Sequence, residues 1–193
     1  MSRGNYRTIL WNKLDSPGME YCYVYHIQNQ WLMWGTALLA DQGQPVQLTY
    51  RITCAEDWTT RGLVLNLLRG EHRAQRMADV RAGVWQIYPE SSSTLEGCTD
   101  LDLGFTPCTN SLPIKRLNLA VGQSADITAA WLRFPELEFV PLRQRYTRLE
   151  EQLYLYESLE SGYRARLDVD DFGLVTHYEA RWDAVASQGD VHP

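Results

Sequence analysis

Two carboxylates and two cations stand close together in the segment from Gly97 to Leu117. Asp100 and Asp102 are two residues apart, so an extended chain places both carboxylates on one face. Lys115 and Arg116 follow a stiff connector that contains two prolines. Such a set can form ion pairs, hydrogen-bond a polar ligand, or hold a divalent cation with help from a phosphate. Ion pairing with Lys115 or Arg116 is the favoured interpretation, because two carboxylates are too few for an all-protein metal site.

The connector between these charges carries two short polar side chains, Thr109 and Asn110. They can bond the backbone of a tight loop, or they can grip the head group of a ligand. The residue types after the second proline predict a new strand from Ile114 to Leu119. The whole segment therefore reads as the acidic end of a strand, a rigid loop and the basic start of another strand.

The run DLDLGFTPCTNSLPIKRL, from Asp100 to Leu117, resembles the signature D-x-D-L-x-x-T-P-x-T-N-x-L-P-I-R-R-L of a bacterial glycolipid-binding family that was formerly of unknown function. It departs at Lys115, where the family more often has arginine. Lysine is a point charge and lacks the two-pronged guanidinium that binds a carboxylate or phosphate with two hydrogen bonds. The resemblance extends over most of the chain. It implies a half-barrel like those of lipoprotein carriers and a small amphiphilic ligand such as a glycolipid. The expected ligand-binding residues are Asp100, Asp102, Thr109, Asn110, Lys115, Arg116, Trp58, Trp131, Tyr146 and Trp182.

Alternating apolar and polar residues recur through the 193-residue chain, typical of short amphipathic strands. In the run YCYVYHI, Tyr21, Tyr23 and Tyr25 share one face while Cys22 and Val24 share the other. We predict a mainly β (α+β) fold, an antiparallel meander forming a curved sheet or incomplete barrel with little helix. The segment 125–134 fits helical spacing as well as a strand. We expect a single domain over residues 1–193, with 184–193 as a flexible tail.

Composition excludes some classes of function. The formal net charge of −6 argues against a nucleic-acid binder, which needs a basic surface. The first residues, MSRGNYRTILWNKL, lack the apolar core of a signal peptide, and no run is long enough to span a bilayer as a helix. These features predict a cytoplasmic protein with reduced cysteines and without an integral membrane segment.

Three functions remain open at this point, and none calls for a cofactor. The leading hypothesis is a non-enzymatic protein that binds an amphiphile in an apolar concavity, with the signature segment at its polar rim. A hydrolase or transferase acting on a glycosylated or lipid substrate is the alternative, with Asp100 and Asp102 as acid and base. Those two carboxyls lie closer than most glycosidase pairs require, which disfavours it. The third is a structural or interaction module in which the signature is a folding element.

Overall fold

The computed structural model describes residues 6–90 and 94–190, which form a sheet of fourteen strands and a short helical segment. Alternating side chains are buried along most strands, as the period of two predicts. The strands are β1 (Tyr6–Lys13), β2 (Gly18–Ile27), β3 (Gln30–Asp41), β4 (Gln44–Ala55), β5 (Thr60–Arg69), β6 (His72–Arg81), β7 (Val84–Tyr88), β8 (Asp100–Leu103), β9 (Ser124–Arg133), β10 (Glu138–Glu150), β11 (Leu153–Ser158), β12 (Arg164–Val169), β13 (Val175–Tyr178) and β14 (Trp182–Asp190).

The sheet is an open meander whose order is β7-β6-β5-β4-β3-β2-β1-β14-β13-β12-β11-β10-β9-β8. The first strand lies in the middle, paired with β2 on one side and β14 on the other. The chain therefore runs outward along one arm and returns along the other. The two arms meet through side chains, since Arg76 Nε on β6 donates to Leu137 O at 2.8 Å and Trp85 Nε1 on β7 donates to Cys98 O at 2.9 Å. The predicted mainly β fold and incomplete barrel are confirmed.

The prediction of a flexible tail over 184–193 is wrong for residues 184–190. These residues belong to β14, which pairs with β1 along the whole of that strand. Their small and polar side chains resemble a frayed terminus, but backbone hydrogen bonds to a neighbouring strand do not require large side chains. Residues 191–193 of the predicted tail lie outside the described residues. The end of the chain thus joins the two arms of the sheet.

The signature segment fills the inner face of the curved sheet. Most of its apolar side chains are buried in the same core cluster as residues of β2 to β5, while Ile114 packs in a second cluster with residues of β9 to β13. Cys108 Sγ lies 3.3 Å from Cys22 Sγ on β2, which brings the segment against the middle of the sheet. The buried apolar residues of the signature are Leu101, Leu103, Phe105, Cys108, Leu112 and Ile114.

The strand predicted from Ile114 to Leu119 is wrong, because this part of the signature is helical. A 3-10 turn over Cys108–Asn110 leads into the α-helix α1 (Ser111–Leu117). Pro113 lies in the first turn, where its missing N–H costs no intrahelical hydrogen bond. Asn118 ends the helix in the left-handed conformation at φ 43°, and its N–H bonds to Ile114 O at 3.2 Å.

The helix acts as a crossover between two parallel strands. β8 pairs with β9 in parallel, and parallel neighbours need a long connection, usually through a helix. The segment 125–134, which fitted both a helix and a strand, lies almost wholly in β9. The signature therefore combines strand, 3-10 turn and helix in one unit that covers the inner face of the sheet.

A buried ion pair fastens α1 to the start of β8. Arg116 donates from Nε to Asp100 Oδ1 at 2.9 Å and from Nη2 to Asp100 Oδ2 at 2.7 Å. The Asp100 side chain is 1% exposed and that of Arg116 is 22% exposed. Thr99 Oγ1 donates a further bond to Asp100 Oδ2 at 2.7 Å. The predicted pairing of an aspartate with Arg116 is confirmed.

We predict that Arg116→Ala lowers the free energy of unfolding by about 3 kcal/mol, because it leaves the Asp100 charge buried without its partner. Asp126 and Arg145 form a matched control, a similar two-bond pair whose side chains are 45% and 44% exposed. Arg145→Ala is expected to cost much less. Urea unfolding of both variants measures the difference, and equal losses would contradict an anchoring role for the buried pair.

Candidate functional site

A cavity of about 680 Å³ lies where the ends of β1, β3, β9 and β11 meet the signature segment. Four of the predicted site residues line it: Asp102, Asn110, Trp131 and Trp182. A groove of about 770 Å³ along β7 and residues 94–96 contains none of the predicted residues. The cavity beside the signature is therefore the candidate site.

Asp102 provides the carboxylate of the cavity wall. Its Oδ2 accepts a hydrogen bond of 2.6 Å from Gln144 Nε2, whose residue is 1% exposed. Burial raises the pKa of Asp102 to about 6, against the lowering effect of hydrogen bonds from Gln144 and Thr109. Asp102 thus gains and loses its charge nearer to neutral pH than an exposed aspartate does.

Asn110, Thr109 and Tyr146 hold the signature loop from within. Tyr146 Oη donates to Asn110 Oδ1 at 2.9 Å, and Asn110 Nδ2 donates to Pro107 O at 3.4 Å. The Leu103 N–H donates to Thr109 Oγ1 at 3.1 Å. Because these polar atoms are engaged inside the protein, Thr109 and Tyr146 stabilise the loop, whereas Asn110 also reaches the cavity wall.

Lys115 and Trp58 lie together but away from the cavity. Lys115 Nζ is 4.3 Å from the ring centre of Phe172 and 5.5 Å from that of Trp58. Burial lowers the pKa of Lys115, while nearby Asp170 opposes that effect. A Cβ on Gly173 would lie 2.8 Å from Lys115 Cδ, so glycine leaves room for the lysine stem. The structure does not bring Lys115, Trp58, Arg116 or Asp100 to the cavity wall.

Aromatic residues that the sequence analysis missed make up much of the wall. They come from the signature itself, from β11 and β13, and from the turns that follow β9 and β11. Gly104 allows the closest approach, because a Cβ there would lie 2.7 Å from Trp131 Nε1. The sequence pattern of these residues was a weak indication of a ligand site, because tyrosines that alternate along a strand are equally typical of a hydrophobic core. The missed aromatic residues are Phe105, Phe134, Tyr156, Tyr163 and Tyr178.

Charges at the cavity wall are largely compensated. Arg181 Nη1 contacts Asp15 Oδ2 at 2.8 Å, and Lys13 Nζ pairs with the other oxygen of the same carboxylate. Asp41 forms an ion pair with Arg69. The remaining acidic side chains of the wall are Asp102 and Glu160, so the wall has no excess of positive charge.

Glu20, which the sequence analysis did not single out, is a buried carboxyl behind the cavity wall. It is 0% exposed and accepts hydrogen bonds from Tyr50 Oη and, at 2.7 Å, from Thr106 Oγ1, a residue of the wall. Gly35 makes the Tyr50 bond possible, because a Cβ there would lie 2.2 Å from Tyr50 Cζ. Burial raises the pKa of Glu20 to about 8, and the two hydrogen bonds oppose the rise. Glu20 alternates with Cys22 and Val24 along β2, and this alternation in the sequence indicates that all three share the buried face.

Among the described residues, no group of three or more His, Cys, Asp or Glu side chains is arranged to hold a metal ion. None of the helices in that part of the chain has the length and apolar character needed to cross a bilayer.

Fold and cavity together define an incomplete β-barrel whose inner face is covered by a helical crossover. A similar fold occurs in a beta-barrel-like protein of a domain of unknown function, DUF1849, from Brucella abortus, at 8% identity and a TM-score of 0.55 over 97% of this chain and 99% of that chain. At that identity the likeness concerns the fold alone.

Residues 8–184 match the family described as "Putative glycolipid-binding", and the chain belongs to this family. The chain is also similar to the crystal structure of a DUF1089 family protein from Pseudomonas aeruginosa, at 34% identity and a TM-score of 0.74 over 83% of this chain and 88% of that chain. No curated protein matches it. The family resemblance of the signature is confirmed.

We predict that Glu20→Gln flattens the dependence of stability on pH. In the folded protein Glu20 keeps its proton up to about pH 8, whereas the unfolded chain releases it near 4.5. The folded state therefore binds more protons in this window, and stability declines as pH rises from 4.5 to 8. Glutamine mimics the protonated carboxyl, so the variant loses this contribution to the decline.

Urea unfolding at several pH values between those limits measures the effect. Glu71→Gln at an exposed glutamate is the control and is expected to keep the wild-type profile. Parallel profiles for wild type and Glu20→Gln would contradict a buried, protonated Glu20.

Proposed function

We propose that this protein binds an amphiphile through an uncharged, glycosylated head group that enters the cavity beside the signature segment. The observation that carries the proposal is the composition of the cavity wall, where aromatic rings alternate with hydroxyl, amide and carboxylate groups. Membership of the glycolipid-binding family supports the same ligand class. The leading hypothesis from the sequence is therefore retained, with a different set of residues at the site.

Aromatic faces and fixed acceptors are the groups that recognise a sugar. Trp131 and Tyr163 are partly exposed at the wall and offer faces against which an apolar face of a pyranose packs. Asp102 accepts hydrogen bonds from hydroxyls, and Asn110 and Ser158 are further polar groups at the same wall. Gln144 holds the Asp102 side chain in place and Tyr146 holds that of Asn110, which preorganises the site.

The charge balance favours an uncharged head group over a phosphate. A phosphate site needs donors with spare positive charge, usually arginine or lysine. Lys13 and Arg181 already share Asp15, and Asp102 and Glu160 add negative charge to the wall. A neutral sugar avoids both the repulsion and the desolvation of an anion.

The size of the cavity limits how much of the ligand it encloses. Its volume of about 680 Å³ lies within the range of small-molecule sites. Among the described residues, the signature segment packs against the inner face of the sheet and takes up room that an acyl chain would need there. We infer that the head group enters, while the acyl chain lies along Phe134 and Leu142, the partly exposed apolar residues of the cavity wall.

The hydrolase or transferase alternative gains no support from the geometry. Both oxygens of Asp100 are engaged by Arg116, and Asp100 does not line the cavity that Asp102 lines. The two carboxylates therefore do not face one reacting bond as an acid and base pair. The third hypothesis, a structural or interaction module, is compatible with the hydrogen bonds inside the signature. It predicts that the cavity binds no ligand.

Calorimetric titration with dodecyl maltoside, below its micelle concentration, tests the proposal. Dodecylphosphocholine, whose zwitterionic head group contains a phosphate, is the comparison of the same chain length. We expect saturable binding of the maltoside and weak or no binding of the phosphocholine. Trp131→Ala should weaken maltoside binding about tenfold, because it removes one stacking face.

Tyr88→Ala is the matched control, since Tyr88 is an aromatic residue, 48% exposed, outside this cavity. It is expected to bind like the wild type. Equal binding by the Trp131 variant, or preference for the phosphocholine, would contradict the proposed site.

A further inference from the structure

The outward face of β1, β2 and β3 carries no charged side chain in residues 6–40 as the structure describes them. Alternation places the odd-numbered residues of β2 outside, because Glu20, Cys22 and Val24 are buried. The pairing of β2 with β3 sets Met19 beside Leu38 and Tyr23 beside Trp34 on this face. We call these uncharged outward residues the outer patch, which comprises Tyr6, Thr8, Leu10, Asn12, Met19, Tyr21, Tyr23, Tyr25, Ile27, Gln30, Leu32, Trp34, Thr36, Leu38 and Ala40.

The outer patch exposes large apolar side chains. Trp34 and Leu38 are each 56% exposed, Tyr21 is 47% exposed and Met19 is 43% exposed. A whole aromatic side chain has roughly 150–250 Å² and about half of each named side chain is exposed, so the patch exposes on the order of 400 Å² of apolar side chain. The largest apolar patch of a typical monomer is about 300–600 Å² and is often functional, so this face has the size of an interaction surface.

We propose that the outer patch is the interface of a symmetric homodimer, in which a second copy of this chain covers the same face. A stable interface takes about 800 Å² from each partner, of which the exposed apolar side chains of the patch supply about half and the polar rim the rest. Its composition is also that of an interface core, which is enriched in Tyr, Trp and Met and depleted of charge. A twofold axis through the patch makes it self-complementary, as an isologous interface requires.

The charges of the chain and of the outer patch favour a second copy of the chain over an anionic lipid surface as the partner of the patch. Each chain carries a net charge of −6, so two copies repel each other over most of their surface and can approach closely through an uncharged face. An anionic lipid surface requires exposed lysine or arginine, and the outer patch contains neither. Arg51 on β4 lies opposite Trp34 at the border of the patch, where a rim charge stays hydrated.

The tyrosines suit a face that meets another protein. Tyr23 stacks with Tyr25 at 4.9 Å between ring centres, and Tyr6 lies 5.8 Å from Tyr23. Rings held in this way lose little conformational entropy when they are covered, and their hydroxyls keep hydrogen bonds at the interface. Ala40 at one end of the patch also lines the cavity, but Trp34 and Tyr21 do not, so the proposal does not depend on the ligand.

Sedimentation equilibrium of the full chain at several concentrations tests the dimer. The expected species has twice the 22.3 kDa chain mass. Trp34→Glu, which replaces an aromatic anchor by a carboxylate that must be desolvated in the interface, should raise the dimer dissociation constant at least tenfold. Val84→Glu is the control, because Val84 is 62% exposed on the edge strand β7, and this variant should remain dimeric.

Leu38→Glu is a second variant, so that a folding defect at one position does not decide the outcome. Circular dichroism of each variant reports whether the sheet is intact. A monomeric wild type at its highest soluble concentration would overturn the proposal, as would a dimer that both folded variants leave unchanged. Flotation of a monomeric wild type with phosphatidylcholine vesicles, lost in Trp34→Glu, would also overturn it and assign the patch to a lipid surface.

Discussion

An open curved sheet cannot bury its inner face by itself, and the burial of that face is the constraint on which this structure depends. The described residues form fourteen amphipathic strands, too apolar on one side to remain exposed. The signature segment solves this with a crossover from β8 to β9 that lays Leu103, Phe105 and Leu112 against the sheet. The Asp100–Arg116 pair holds the crossover to its own strand.

The same segment explains why the cavity lies where it does. The crossover occupies the middle of the inner face, so open space remains at the end where the strand termini and turns diverge. The signature thus has two sides. One is held inside the protein, where Thr109 bonds to the Leu103 N–H and Asn110 accepts from Tyr146 of β10, and the other faces the cavity through Asp102 and Asn110. A ligand site built on a segment that also closes the core is rigid, because displacing its side chains would open the core.

Sequence patterns predicted the fold well, because a period of two is set by local geometry. They placed Cys22 and Val24 on one face of β2 and the neighbouring tyrosines on the other, and the structure buries the face of Cys22 and Val24. They failed in β14, where backbone pairing with β1 orders a segment whose composition resembles a flexible tail. They also failed after Pro113, which fits the first turn of α1 and is not followed by a strand. Four of the ten predicted site residues line the cavity and the other six do not, since the direction of a side chain after a turn depends on the helix that follows. Lys115 points toward Phe172, and Glu20 was overlooked among its apolar neighbours.

The central claim is that the cavity takes up a glycosylated amphiphile, and native mass spectrometry tests it most directly. The chain would be incubated with a total lipid extract, separated from free lipid and measured intact, and the bound species would be extracted and fragmented. The account predicts an adduct whose fragments contain a sugar and an acyl chain, and which Trp131→Ala reduces. A chain that carries no adduct, or adducts of phospholipid alone, would contradict it.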